Sequence, residues 1–397
     1  MTSEERYIRK RLREARRQAR EFYYCRKYPI QENKIVFTTI EGTTGFSCNP
    51  KYIALELLRR NLGLDLIWLV DDMTKKFPKG IRKVKNTLKN RAYELSTAKI
   101  WIDNSRKQLE VRKRPGQFYL QTWHANISPK PIGLFRGKSF SKIAYIVSKH
   151  DSDMIDLLLT NSKWMEETLA GKGILYDGAM ARTGAPRNDI LINDRTVYRE
   201  RLRGKYGISN DTRLMMYAPT FRGGSQGTKR GIDKSNRFPD FEALKKALEE
   251  KTSENWKILL RLHPQLTARH VISGIASDDV IDVSGEADMF ETLAACDALL
   301  TDYSATMFDA SYMRVPVFIF AYDLDEYIAE RGHLMWDDIH DLPFQVAETD
   351  EELLSIIKNF DEEDFRERLE TFFKSVELKE DGHAAERAAN IIEERLK

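Results

Sequence analysis

Cysteine is scarce in this chain. There are three in 397 residues, Cys25, Cys48 and Cys296, far apart in sequence. They cannot form a disulfide framework and they lack the Cys-x-x-Cys spacing of a metal site, which fits a reducing cytoplasm. Long apolar runs are also missing. The densest, residues 315–322, contains Pro316 and falls far short of the roughly 18 residues a membrane-spanning helix needs. The first residues are charged and hold no apolar core of a signal peptide, so an unexported chain is expected. Repeats and low-complexity tracts are absent. What remains is a globular composition, 42% apolar and 31% charged. Its length exceeds the roughly 250–300 residues at which one core stops growing, so two domains are expected.

Charge is unevenly distributed. Residues 6–27 hold ten Lys/Arg against Glu14 and Glu21, a local charge of +8, so the rest of the chain carries −5 against the overall +3. Ile8, Leu12, Ala15, Ala19 and Phe22 recur at spacings of 4, 3, 4 and 3, which predicts a basic helix with one narrow apolar stripe. Such a helix has three readings. It lies on an anionic lipid surface through residues 1–27, it docks on its own domain as a solvated helix, or it forms a partner site. Nucleic acid is not expected as a partner, because the basic block is local and the remainder acidic.

The body alternates strand-like and helix-like segments. Strands are predicted over 34–39, 64–70, 98–102, 118–123, 157–160, 214–218, 257–262, 280–283, 298–301 and 315–321. Helices are predicted over 50–61, 241–250, 289–295 and 305–313. This alternation implies parallel sheets covered by helices. The domain break is expected within 188–211, and a polar glycine-rich loop over 223–237. The organisation expected is a basic helix (1–30), a first α/β domain (31–190), a second (191–375), and a C-terminal helix (376–397).

Ligands of parallel α/β sheets sit beyond the carboxyl ends of the strands. Polar residues concentrate there: His124 in QTWHAN, Thr220 and Arg222 in YAPTFR, His263 in LRLHP, and Asp302 and Ser304 in TDYSATMFD. An imidazole can take a proton from a hydroxyl or give one to a phosphate oxygen near neutral pH. Arg222 offers a planar fork for phosphate. Ser304 is expected to cap the following helix, whose first amides would attract anions. Each also has an ordinary structural reading: packed histidines, a simple cap, and an Asp302 that only bonds turn amides.

The order QTWHAN, TGAPRNDIL, YAPTFR, LRLHP and TDYSATMFDASYMRVPVFIFAYD resembles the CDP-glycerol glycerophosphotransferase family, the teichoic-acid primases and polymerases. The resemblance spans roughly residues 98–332. It implies a GT-B-like α/β fold, two Rossmann-like domains facing a central cleft, with the C-terminal helix (376–397) crossing back to the first domain. It implies that His124 is the base for an acceptor hydroxyl and that His263 acts on the donor phosphates. By the same resemblance Thr220, Arg222, Thr301, Asp302, Ser304 and Asp309 are donor-site positions. The implied donor is a CDP-linked polyol. The implied acceptor is a lipid-linked saccharide or polyol-phosphate chain at the cytoplasmic membrane face, with CMP released. Ala125 stands where the family has glycine, which would restrict a positive φ there.

No cofactor is expected to be obligatory. The acids that could bind Mg²⁺ (Asp302, Asp309, Asp323, Asp325) are scattered, and Glu286 and Glu291 are expected to be solvated on a helix face, with a ribose hydroxyl as the lesser reading. Two other classes stay open: a nucleotide-sugar glycosyltransferase on the same fold, and a non-catalytic membrane-associated scaffold. Released CMP against a nucleoside diphosphate separates the first two.

Overall fold

The computed structural model describes residues 1–220, 237–262 and 276–397. Two parallel sheets organise the chain. The first holds β1 (Gln31–Thr38), β2 (Asp65–Val70), β3 (Ile81–Lys85), β4 (Ala98–Asp103), β5 (Phe118–Gln121), β6 (Leu157–Thr160) and β7 (Met180–Arg182), in the order β3-β2-β1-β4-β5-β6-β7. The second holds β8 (Arg213–Ala218), β9 (Trp256–Leu260), β10 (Val280–Asp282), β11 (Ala298–Thr301), β12 (Val317–Phe320) and β13 (Gln345–Ala347), in the order β10-β9-β8-β11-β12-β13. Both orders reverse beside their first strand, at β1/β4 and at β8/β11. Those are the switch points where such sheets open a crevice.

The central strands are apolar because they are covered on both faces. Ile35 and Val36 of β1 and Trp101 and Ile102 of β4 are all fully buried. One face of the first sheet packs under Ile53, Ala54 and Leu57 of α2 (Cys48–Arg60) together with Ala388, Ala389 and Ile392 of the C-terminal helix Ala384–Leu396. The compact units follow this packing. One comprises Met1–Asn126, Ile132–Asp189 and Glu377–Lys397, the other Ile127–Pro131 and Ile190–Val376.

The basic helix forms as α1 (Ser3–Cys25), opened by a capping box in which Thr2 and Glu5 satisfy each other's amides. Its stripe is already in use. Ile8, Ala15, Ala19 and Phe22 are buried, the helix packs on α3 (Leu88–Thr97), and Phe22 joins the core of the first unit. A stripe embedded in lipid is therefore corrected: the apolar side docks on its own unit. All ten cations of residues 6–27 stay exposed.

The returning C-terminal segment is held by carboxylates of low exposure. Asp189 accepts the amides of Ala384 (2.9 Å) and Ala385 (2.8 Å), at the start of the last helix. Glu380 accepts from the side-chain amides of Asn161 and Asn188 (both 2.9 Å) and from the Ala185 amide (3.2 Å). Gly184 has φ +85°, and a Cβ there would stand 2.7 Å from the Lys379 carbonyl oxygen, so the TGAPRND turn needs glycine. Loss of water raises the Glu380 pKa from 4.5 to about 8 despite these donors. The folded state then holds a proton that the unfolded chain gives up above about pH 4.5. Stability should fall as pH rises from there to about 8 and level off beyond. Glu380→Gln is expected to flatten that decline, read as urea midpoints between pH 5 and 9. A wild-type slope in the variant would contradict the assignment.

Candidate active site

At the β1/β4 switch point three loops meet. Asp103 ends β4. It is buried, pairs with the buried Lys107 ammonium at 2.6 Å, and accepts the amides of Asn104 (2.7 Å) and Ser105 (3.0 Å). That fixes the Asn104–Arg106 turn. The turn in turn grips the loop after β1: Asn104 Oδ1 accepts the Ile40 amide (2.9 Å) and Ser105 Oγ accepts the Glu41 amide (3.1 Å). Ile40 and Glu41 both have positive φ, 42° and 57°, a left-handed conformation that non-glycine residues hold only when their surroundings impose it.

The third loop carries His124. The strand predicted over 118–123 stops at Gln121, so His124 lies three residues beyond β5 rather than one. Trp123 between them has φ +52°. The Gln121 side chain accepts its amide (2.9 Å), the Asn49 side chain donates to its carbonyl (3.0 Å), and its ring is buried. The left-handed residue of this turn is thus Trp123. Ala125 does not have positive φ, so the expected constraint at Ala125 does not arise.

His124 Nδ1 lies 2.7 Å from the Asn104 carbonyl oxygen. A carbonyl only accepts, so Nδ1 carries the proton and Nε2 keeps its lone pair. Nε2 has no partner among the described residues. Arg187 donates to the His124 carbonyl, and its own amide is taken by Asn49 Oδ1 (3.1 Å). The residue keeps an exposed surface, yet the protein crowded around the ring removes enough water to lower its pKa from 6.5 to about 4. The Asn104 bond opposes that shift, and Arg187 and Arg106 add to it. Neutral imidazole is therefore the resting form above about pH 4. If His124 is the base, kcat/KM for the free enzyme should lose activity only as pH falls through about 4. An acid limb near 6.5 would contradict this.

In the second unit Thr220 follows β8 and Asp302 follows β11. The buried Asp302 carboxylate accepts the Thr220 amide at 2.9 Å and also its hydroxyl. Thr301 Oγ1 donates to the Ala218 carbonyl (2.7 Å), and Lys130 Nζ reaches Thr220 Oγ1 (3.2 Å). So Thr220, Thr301 and Asp302 stand together at β8/β11, with their polar groups tying the two strand ends to each other. Ser304 is not the helix cap. The helix Thr306–Ser311 is capped at Ala305, and Ser304 Oγ accepts the Thr306 amide (3.3 Å). With six residues that helix offers little dipole to an anion. Asp309 is buried in it. Arg222 and His263, and the loop expected over 223–237 apart from Arg237, lie outside the described residues. Glu286 bonds Lys205 and Tyr206, and Glu291 pairs with Arg201, which accords with the surface helix-face role expected for them. No group of three or more potential metal ligands occurs among the described residues.

Sequence reasoning passed over Asn49, Asn104, Arg106 and Arg187. The signal was present for two of them: Asn104 and Arg106 follow the predicted strand 98–102, at the same kind of strand end that drew attention to His124.

Two Rossmann-like parallel-sheet units define a GT-B-type α/β protein, with a neutral histidine presented at the first unit's switch point. Residues 21–394 match the CDP-glycerol:poly(glycerophosphate) glycerophosphotransferase family, and the chain belongs to it. A teichoic acid glycerol-phosphate transferase of Staphylococcus aureus is 30% identical over 91% of this chain and 93% of its own length. A teichoic acid poly(glycerol phosphate) polymerase of Staphylococcus epidermidis is 26% identical over 93% of this chain and 51% of its own. This chain thus spans about half the length of that polymerase. The structure of the wall teichoic acid polymerase TagF superposes with TM-score 0.81 at 26% identity, covering 96% of this chain and 94% of that one.

Proposed function

We propose that this protein transfers a polyol phosphate, glycerol phosphate or a close relative, from a CDP-linked donor to a hydroxyl of a lipid-linked or polymeric acceptor, releasing CMP. The product would be teichoic acid or a related surface polymer. The observation that carries the reading is His124 in a member of this family: Nδ1 is committed to a backbone carbonyl, and Nε2 has no partner among the described residues at the first sheet's switch point.

In the proposed step the acceptor oxygen attacks the polyol-bearing phosphorus while its proton passes to His124 Nε2. A new O–P bond forms, the pyrophosphate O–P bond breaks, and CMP departs with that electron pair. Donors placed where this charge develops are worth a few kcal/mol each. By resemblance to the family those donors are His263 and Arg222, with Thr220, Thr301, Asp302, Ser304 and Asp309 shaping the donor site. For Thr220, Thr301 and Asp302 the bonds within the strand ends support a positioning role.

The test is a donor panel of CDP-glycerol, CDP-ribitol and nucleotide sugars, with the released nucleotide identified by mass. CMP from a CDP-polyol is expected. A nucleoside diphosphate would favour sugar transfer, and binding without turnover in the presence of a competent acceptor would favour a scaffold.

Attachment to the cytoplasmic membrane face belongs to this proposal. It rests on the cations of α1, because the apolar stripe is occupied. No helix among the described residues is long and apolar enough to cross a membrane. Each exposed Lys/Arg near an anionic surface contributes on the order of 1 kcal/mol, screened by salt. Replacing Arg9, Arg13, Arg16 and Arg20 with Gln should strongly reduce co-sedimentation with vesicles containing anionic lipid while leaving the fold intact. Binding that is unchanged, and insensitive to salt, would remove the proposal.

A further inference from the structure

Beside His124 stands a cation with no counter-ion. Arg106, on the turn after β4, stacks its guanidinium over the Trp123 ring at 5.2 Å, and that ring lies 4.9 Å from the His124 ring. Two such steps put the guanidinium within about 10 Å of the imidazole. No carboxylate lies within ion-pair distance of Arg106 among the described residues, and its buried Nε has no hydrogen-bond partner. Next to it the side-chain nitrogen of Asn104, a residue with no exposed surface, is also without a partner. Buried donors are almost always satisfied, so two orphans on one turn call for a partner. Arg136 is close enough to repel Arg106, whereas Asp151 and Glu41 only partly offset its charge from a distance. Elsewhere in this unit cations of low exposure are paired: Lys34 with Glu94, Arg91 with Glu110, Lys107 with Asp103. Arg106 has no such carboxylate among the described residues, and its guanidinium lies over the aromatic ring that abuts the proposed base.

We propose that Arg106, supported by Arg136, binds a phosphodiester of the acceptor, one polyol back from the hydroxyl that His124 deprotonates. This rests on the transferase reading and narrows its acceptor. The preferred substrate would be a chain end that already carries a polyol phosphate, ahead of a bare saccharide terminus. A planar guanidinium suits the two free oxygens of a diester, and its packing on Trp123 means that little freedom is lost on binding. Phosphate contact here positions the acceptor. Proton transfer stays with His124.

The experiment compares two soluble acceptors, a saccharide ending in one glycerol-phosphate unit and the same saccharide without it, in wild type, Arg106→Ala and Arg106→Lys. CMP release is read as kcat and KM for each, and acceptor affinity by calorimetry without donor. For Arg106→Ala the expected result is a KM and Kd for the phosphorylated acceptor raised by about 10- to 100-fold with kcat within about threefold. The unphosphorylated acceptor should be unaffected, and Arg106→Lys should recover part of the loss as a point charge. Equal effects on both acceptors, a loss confined to kcat, or no loss at all would overturn the assignment. Circular dichroism and the calorimetric signal from CDP-glycerol distinguish misfolding, and Arg106→Lys keeps the test open if the alanine variant unfolds. Wild-type enzyme that releases no CMP with either acceptor, yet binds the phosphorylated one through Arg106, would defeat the transferase reading and leave this site standing.

Discussion

His124→Ala should slow CMP release by about 10²- to 10⁴-fold, the usual range for a positioned general base. The urea midpoint should hardly move. The residue keeps an exposed surface and its ring makes one hydrogen bond among the described residues, to the Asn104 carbonyl, so the loss is confined to that bond and the contact with Trp123. The neighbouring strain does not depend on it either. Trp123 is held at φ +52° by Gln121 and Asn49, which remain. The check is nucleotide release by chromatography beside an unfolding curve. A variant within about threefold of wild type would remove His124 as the base. One that loses activity only because it unfolds would show a matching drop in midpoint.

Asp103→Ala should cost about 3–5 kcal/mol of folding stability, because it leaves the Lys107 ammonium buried without its carboxylate. Activity should fall as well. The same carboxylate holds the Asn104 and Ser105 amides, and with them the carbonyl that fixes the His124 tautomer. Adding Lys107→Met to make the double variant should restore much of the stability, since no unpaired charge is then left buried. It should not restore full activity, because the turn amides still lack their acceptor. Urea unfolding of the four proteins of this cycle is the measurement. A single-variant loss under 1 kcal/mol, or a double variant no better than Asp103→Ala, would contradict it.

Much of the scaffold was legible because both sheets are centrally apolar. Segments 157–160 and 298–301 were delimited as they fold, and 98–102 falls one residue short of β4. The strands that escaped notice are β3, β7 and β13, each at the edge of its sheet. Edge strands are short or charged, which suppresses unwanted pairing and also erases the apolar run that sequence reading depends on: β3 reads IRKVK, and β7 and β13 have three residues each. His124 was legible through the strand-end rule. Its tautomer was not, because that depends on a backbone carbonyl twenty positions earlier. Arg106 was visible in the sequence as one arginine among many. Only the structure shows it stacked on Trp123 without a counter-ion. The stripe of α1 was read correctly as apolar. Which surface it meets is a tertiary fact, and α3 proved to be the partner.

The most direct test of the central claim is nitrogen NMR of His124 in protein labelled at its histidine ring nitrogens, assigned by comparison with His124→Ala and titrated from pH 3.5 to 8. The expected result is a ring protonated at Nδ1, with Nε2 unprotonated across the neutral range and gaining its proton only near pH 4. A ring carrying its proton on Nε2, or one that becomes imidazolium near pH 6.5, would contradict a base poised to take the acceptor's proton.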